Sequence, residues 1–226
     1  MKKELLIFIA FFFIHPYFLF ATEKDTEEIK TIFDLKELKI GGYIGPEIKH
    51  TKILDNNGLL IGGSLGFILN HHFSLGFMGY GIVTEHKLEN YTPNDRLIEV
   101  NGDILLRGGY GGMEMEYIIF PNYPIHFVLH SGIGIGGLVY DADKWRYKDE
   151  SYYRNDSEYD NDDDVLESSV MFVYEPSIKI EFNVLKMLRC GFSGGYRFVS
   201  GVDLPNTTNE DLSDFSFGLY MKAGIF

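Results

Sequence analysis

The chain has 226 residues, a formal net charge of −13 and a single cysteine, Cys190. One cysteine allows no internal disulfide and no cysteine-based metal centre. The acidic balance argues against nucleic acid as a partner, because phosphate binding requires clustered Lys and Arg. Glycine (25 residues) and aromatic residues (15%) are abundant, while proline (7 residues) is scarce. This composition is typical of closed β-barrels, whose strands bend around a narrow interior.

The N-terminus has the pattern of a secretory signal peptide. Lys2 and Lys3 precede an apolar run from Leu5 to Phe20, and Ala21 supplies a small residue for cleavage. The run has 16 residues, whereas a transmembrane helix needs roughly 20. We expect cleavage after Ala21, so that residues 1–21 are removed; an uncleaved anchor is the alternative. Cleavage removes a net charge of +1 and leaves −14 on the mature chain.

Strands are predicted along most of the remaining chain. Residues 22–38 are charged and are interpreted as a periplasmic lead-in. From residue 39 onward, apolar side chains alternate with small or polar ones, which is the period of a strand with one apolar face. Eight segments show this alternation: residues 39–50, 58–69, 73–83, 103–119, 125–140, 170–182, 187–200 and 214–226. The predicted fold of residues 39–226 is all-β, an eight-stranded antiparallel up-and-down transmembrane barrel.

The connections between the predicted strands alternate in length. Short connections lie at residues 70–72, 121–124 and 183–186. Longer polar ones lie at about residues 51–57, 84–102, 141–169 and 201–213. Short periplasmic turns and longer extracellular loops are the topology of bacterial outer-membrane barrels. The pattern therefore predicts a protein of the outer membrane of a Gram-negative cell, with membrane lipid around its wall.

The same alternation divides the strand residues into an apolar set and a polar set. If the apolar set faces lipid, the polar set lies inside, where an eight-stranded barrel has room only for side chains. Buried ions need partners, since an unpaired one costs several kcal/mol. We therefore expect a plugging salt-bridge network; a gated pore or proton path is the alternative. A soluble lipocalin-type barrel would instead need the apolar set inside. The polar set holds five acids and five bases: Glu47, Glu114, Glu116, Glu175, Glu181, Lys49, Lys179, Arg189, Arg197 and Lys222.

Two glycine-rich segments carry a resemblance to known membrane proteins. Residues 41–46 read GGYIGP at the start of the first strand, and residues 108–117 read GGYGGMEMEY. The chain resembles small eight-stranded bacterial outer-membrane barrel proteins of the OmpA, OmpX and OmpW kind over most of residues 39–226. That wider group includes anchors, adhesins and proteins of unknown role. The resemblance makes the terminal Phe226 a candidate signal for the barrel-assembly machinery, although the apolar alternation ends one residue earlier, at Ile225.

The 141–169 connection is the most unusual segment. It contains eleven acids against four bases, with one Trp and four Tyr interleaved. Carboxylate clusters suit Ca²⁺, and exposed aromatic residues suit contact with a partner. A calcium loop's turn glycine and terminal Glu are missing, so a solvated loop is the preferred interpretation. We expect neither a metal nor a cofactor, and the loop is a candidate contact for an extracellular partner. The candidate contact or calcium residues are Asp156, Glu158, Asp160, Asp162, Asp163 and Asp164.

None of the four histidines His71, His72, His126 and His130 is predicted to be catalytic. His71 and His72 lie in a short connection and are interpreted as turn residues. His126 and His130 belong to the polar set, and some outer-membrane lipid-modifying enzymes place His, Ser and an acid on a barrel wall. Ser131 has the opposite parity from His130, however, and would lie outside hydrogen-bond reach. The predicted role is non-enzymatic, structural or in surface interaction. A narrow pore or small-ligand carrier is the first alternative, and a lipid-modifying enzyme the second.

Overall fold

The structure, a computed structural model, describes residues 38–88, 104–142 and 165–226. The predicted signal peptide, residues 22–37 of the lead-in, and all six candidate calcium residues of the acidic loop lie outside the described residues. Within the described ranges, no helix is long and apolar enough to cross a membrane. A short 3-10 helix spans Glu210–Leu212. The strands are β1 (Ile40–Ile53), β2 (Asn56–Leu69), β3 (Phe73–Ile82), β4 (His86–Leu88), β5 (Ile104–Ile119), β6 (Ile125–Ala142), β7 (Val165–Leu185), β8 (Leu188–Ser200) and β9 (Asp214–Ile225).

These strands close into one antiparallel barrel with eight strand positions around its circumference. Consecutive strands pair with each other from β5 to β9 and from β1 to β3. The barrel closes where β1 pairs with β9, from Gly42 opposite Ile225 to His50 opposite Phe217. Strand β3 pairs with β5, and the three-residue β4 pairs with the first residues of β5, so β3 and β4 share one position. The predicted all-β fold, an eight-stranded antiparallel barrel, is confirmed.

Burial alternates along the strands in the predicted phase, except at the start of β5, where residues 104–106 are all buried, including Leu105, which the alternation places outside. In β1, Ile44 and Ile48 are 65% and 47% exposed, whereas Glu47 and Lys49 between and beside them are 3% exposed. Since successive strand residues point to opposite faces, this phase places the apolar set on the outer surface and the charged residues inside. The glutamates are not bathed in solvent, so the arrangement is the reverse of a soluble barrel.

One of the predicted long loops is a tight turn. Strand β1 continues to Ile53 and β2 begins at Asn56, so the connection is Leu54–Asp55 and not residues 51–57. Both turn residues have positive φ, 51° and 59°, as a two-residue type I′ hairpin requires. The prediction was wrong because the polar composition of 51–57 is typical of a loop. Here the strands simply continue, with Lys52 exposed on the outer face.

The remaining connections sort by length between the two ends of the barrel. The short-turn end holds Asn70–His72, Phe120–Pro124 and Lys186–Met187, together with the start of β1 and the end of β9. At the opposite end, the long-loop end, the strands are joined by residues 83–103, which include β4, by residues 143–164 and by residues 201–213. Of the first two connections, only residues 83–88 are described. Strand β7 begins five residues earlier than the predicted 170. Three of the four predicted long connections are therefore long, and the short connections lie together as expected.

Candidate functional site: the interior ionic layer

All ten charged residues of the polar set are buried, each with at most 5% of its surface exposed. Two histidines, His126 and His130, are buried among them. Together these side chains, apart from Arg197, whose contacts differ, form what we call the ionic layer. Its members are Glu47, Lys49, Glu114, Glu116, His126, His130, Glu175, Lys179, Glu181, Arg189 and Lys222.

Glu116 of β5 accepts two ammonium groups. Lys179 Nζ lies 2.9 Å from one carboxylate oxygen, and Lys222 Nζ lies 2.7 Å from the other. These partners belong to β7 and β9, which do not pair with β5. The ion pairs therefore cross the interior instead of running along the wall. With both oxygens occupied at short distance, Glu116 joins three parts of the barrel.

Glu181 of β7 binds a second group of donors. His126 Nε2 lies 2.9 Å and Arg189 Nη1 3.0 Å from its Oε1, and Lys222 Nζ lies 3.2 Å from its Oε2. Lys222 therefore links the Glu116 and Glu181 groups. The strand alternation places His126 on the interior face, but the predicted network does not include it. Its interior position could have predicted a charged partner. The register then places His126 directly opposite Glu181.

Tyrosine hydroxyl groups donate to four of the five interior carboxylates, a feature that the strand alternation did not predict. Hydrogen bonds to charged acceptors are stronger than those between neutral groups, so each phenol stabilises the ionised acid. The donor–acceptor pairs are Tyr43 to Glu114 (2.5 Å), Tyr80 to Glu47 (2.5 Å), Tyr110 to Glu175 (2.6 Å) and Tyr220 to Glu181 (3.2 Å).

Lys49 joins the remaining two acids. Its Nζ lies 2.8 Å from Glu175 Oε1 and 4.0 Å from Glu47 Oε2. The same ammonium group lies 3.8 Å from the centre of the Tyr80 ring, within the range of a cation–π contact. Ser193 donates to Glu47 Oε1 at 2.7 Å. Each acid of this group thus has both an ionic and a neutral donor nearby.

Two residues of the predicted network pair differently from the expectation. Within the described ranges, Glu114 contacts no Lys or Arg at ion-pair distance; His130 Nε2 lies 3.2 Å from its Oε2 instead. Arg197 contacts no described carboxylate. It donates to the Leu212 carbonyl at 3.0 Å and, at 3.4 Å, to Thr51 Oγ1 and the Lys52 carbonyl. Arg197 therefore anchors the 201–213 connection and does not join the ionic layer.

The outer wall is the opposite of this interior. Large apolar side chains are exposed around the barrel, among them Ile44, Phe67, Phe77, Ile133, Phe172 and Leu219. Soluble proteins rarely expose contiguous apolar surfaces of this extent, whereas an apolar outer band and a polar interior are the pattern of bacterial membrane barrels. The chain is a transmembrane β-barrel. Its strand number, loop asymmetry and polar interior are those of the outer-membrane type.

Comparison with solved structures finds small outer-membrane barrels. Neisserial surface protein A is 11% identical, with a TM-score of 0.42, over 83% of this chain and 97% of that one. Ail, the attachment invasion locus protein of Yersinia pestis, was solved with the heparin analogue sucrose octasulfate; it is 12% identical, with a TM-score of 0.44, over 82% and 97%. The Escherichia coli outer-membrane protease OmpT is 10% identical, with a TM-score of 0.32, over 83% and 93%.

These similarities are too distant to indicate what this chain does. No protein-family model matches it. No curated protein matches it either.

An apolar cluster fills the interior of this membrane barrel at the long-loop end, a feature that the predicted salt-bridge network did not include. We call it the upper cluster: Ile53, Leu60, Met78, Tyr80, Ile104, Leu106, Tyr110, Leu138, Tyr140, Met171, Val173, Val199, Leu204 and Leu212. The cause is visible in the sequence of the strand tips, where the inward positions change from charged to apolar. In β5, for example, Leu106 and Tyr110 lie above Glu114 and Glu116.

The 201–213 connection folds into the mouth and contributes two members of the upper cluster. Leu204 and Leu212 are buried at 8% and 3% exposure. Tyr140 donates to the Pro205 carbonyl at 2.5 Å, and the Leu54 amide donates to the Asp211 carbonyl at 2.9 Å. A cavity of about 10 Å³ remains beside the cluster, roughly the space that one water needs.

A smaller apolar cluster lies at the short-turn end. It consists of Tyr43, Ile68, Ile118 and Val128, and the half-buried Phe226 packs against it; we call it the lower cluster. Along β1, the inward residues run from Tyr43 through Glu47 and Lys49 to Ile53. On this side of the barrel, the ionic layer thus lies between two apolar clusters.

One hydrogen-bonded group has the residue types of a nucleophilic site. Ser177 Oγ lies 2.9 Å from His130 Nδ1, and His130 Nε2 lies 3.2 Å from Glu114 Oε2. The serine adjacent to His130 in the sequence, Ser131, is half-buried and has the outward parity; Ser177 was not predicted as its partner. Its signal was the cross-strand register, which pairs Ser177 with His130. His130 and Glu114 are 5% and 1% exposed.

The same glutamate and histidine could also be considered for a metal. Ligand atoms of Glu114, Glu116 and His130 lie within 4.8 Å of one another. The donor set does not suit a cation, because Lys179 and Lys222 already neutralise Glu116. His71 and His72 lie in the turn between β2 and β3, where His72 Nδ1 lies 3.0 Å from the Ile118 carbonyl oxygen.

Proposed function

We propose that this outer-membrane barrel is non-enzymatic and non-conducting, and serves as a structural scaffold that holds long loops at the cell surface. The observation that carries the proposal is the filled interior. Ion pairs cross the ionic layer between non-neighbouring strands, and the upper cluster covers it at the long-loop end. An interior filled in this way has no space for a solute. A plugged barrel leaves its loops and outer wall as the surfaces that meet other molecules.

The loops give the scaffold its proposed surface role. The connection between β6 and β7, residues 143–164, carries nine acids against four bases, so a cationic partner would be attracted by charge complementarity. Its ends emerge from β6 and β7, the strands of 18 and 21 residues. These strands exceed the roughly ten residues needed to cross a membrane, which raises the start of the loop above the lipid surface.

Planar-bilayer recording tests the non-conducting part of the proposal. We expect no stable, sizeable open state of the refolded protein at either voltage polarity, because the ionic layer and the upper cluster fill the lumen. An open porin inserted in the same chamber is the positive control. Long-lived open steps that scale with salt concentration would favour the alternative of a narrow pore and would overturn the scaffold proposal.

A hydrolase is the second candidate function. Ser177 is hydrogen-bonded to His130, and His130 to Glu114, as a nucleophile, its base and an acid would be. A nucleophile must be reached by its substrate, however, and His130 and Glu114 are buried within the filled interior. We expect a fluorophosphonate probe to leave the folded protein unlabelled. Labelling that disappears in Ser177→Ala, while an outward Ser131→Ala variant is still labelled, would establish the hydrolase instead.

A further inference from the structure

The last residue of the chain points the opposite way from its neighbour. Ile225 ends β9 on the outer face and is 70% exposed. Phe226 is half-buried and packs against the lower cluster inside the barrel. Its ring also lies over the guanidinium of Arg189, with 3.9 Å between Arg189 Cζ and the ring centre. The one-residue phase shift seen in the sequence is therefore an inward turn of the terminal aromatic ring.

Phe226 lies between an apolar half and a charged half of the interior at the short-turn end. The lower cluster comes from β1, β2, β5 and β6. On the other half, β7, β8 and β9 contribute the charged Glu181, Arg189 and Lys222 to the interior. Arg189 Nη1 is paired with Glu181 at 3.0 Å, whereas its buried Nε has no hydrogen-bond partner among the described residues. Phe226 contacts both the apolar half and this arginine.

We propose that the Phe226 ring seals the ionic layer against water at the short-turn end. The ring covers the guanidinium face with the contact geometry of a cation–π pair, and it continues the lower cluster over the charged half. Without the ring, water can reach Arg189 and Glu181. This role belongs to the folded barrel, so it is separate from any part that Phe226 plays during assembly. The inference rests on the filled interior of the proposed function.

Thiol accessibility tests the seal. Cys190 is replaced by Ser, which leaves no cysteine, and Val128→Cys introduces a thiol on a buried side chain of the lower cluster, against which Phe226 packs. Barrels refolded in vitro, which bypasses cellular assembly, are treated with a small cationic methanethiosulfonate. We expect slow reaction with Phe226 present and a rate at least about tenfold higher in Phe226→Ala, since local opening controls access to buried groups.

Matched variants separate the possible results. Ile225→Ala removes a similar apolar side chain from the outer face and should leave the rate unchanged. Phe226→Leu and Phe226→Val should give intermediate rates in order of size, which keeps the test usable if Phe226→Ala does not fold. If the whole series is as protected as the parent, the seal is wrong while the filled interior stands. Fast reaction in the parent itself would overturn the filled interior, and the seal with it.

Discussion

Replacing Glu116 by Gln is expected to lower the free energy of unfolding by about 3–5 kcal/mol, the usual cost of removing one partner from a buried ion pair. Glu116 is 1% exposed and is the acceptor for Lys179 at 2.9 Å and Lys222 at 2.7 Å. Lys222 has Glu181 as a second partner, 3.2 Å away, and this ion pair does not involve Glu116. Lys179 has no second described carboxylate at ion-pair distance. The cost thus comes mainly from the buried Lys179 ammonium group, which is left without a carboxylate partner. Urea unfolding from lipid vesicles measures it.

Two further variants identify the cause of that loss. Glu85→Gln makes the same change on an exposed side chain and should alter the free energy by no more than about 0.5 kcal/mol. Adding Lys179→Met to Glu116→Gln removes the unpaired ammonium group, and we expect part of the stability to return, because apolar replacement of a buried pair is often tolerated. A loss below about 1 kcal/mol in Glu116→Gln would mean that the layer is hydrated and not closed.

The phase of the barrel was predictable because one physical rule governs every strand. Side chains alternate between the two faces, and only one face can meet lipid. Ile48 and Glu47 could therefore be assigned to the outside and the inside from their parity alone. The burial of the ten charged residues followed from the same rule. The equal numbers of acids and bases among them, five of each, indicated that they would neutralise one another.

The detailed partners were not predictable, because they depend on the three-dimensional register and on strand shear. Parity places Arg197 inside but does not show that it lies under the 201–213 connection, with the Leu212 carbonyl at 3.0 Å. Parity also does not show that Ser177 lies beside His130. The Leu54–Asp55 turn was missed because composition distinguishes a loop from a strand only where the strand lies within lipid. Beyond the membrane, polar residues suit both.

The upper cluster was missed for a related reason. Inward apolar residues at the strand tips, such as Leu106 and Leu138, share their parity with the charged residues of the same strands. The alternation was read as apolar outside and polar inside, so these residues did not fit either set. An apolar interior near one mouth is nevertheless expected wherever a connection folds back, since Leu204 and Leu212 need apolar partners to be buried.

The second large effect is expected from a charge on the outer wall. Ile133 lies on β6, near the middle of its outward row, and is 62% exposed. In water, an exposed Ile→Arg change usually alters stability by no more than about 0.5 kcal/mol. On the lipid face of a membrane barrel, an arginine near the midplane costs about 2–4 kcal/mol. The same substitution therefore distinguishes a lipid-facing surface from a water-facing one.

The most direct test of the apolar outer wall is the free energy of unfolding of Ile133→Arg from lipid vesicles. We predict a loss of about 2–4 kcal/mol, against about 0–1 kcal/mol for Val83→Arg, which places the same charge on an exposed residue just beyond the end of β3. If Ile133→Arg unfolds at the same urea concentration as the parent protein, Ile133 does not face lipid, and the assignment of this barrel to the membrane is contradicted.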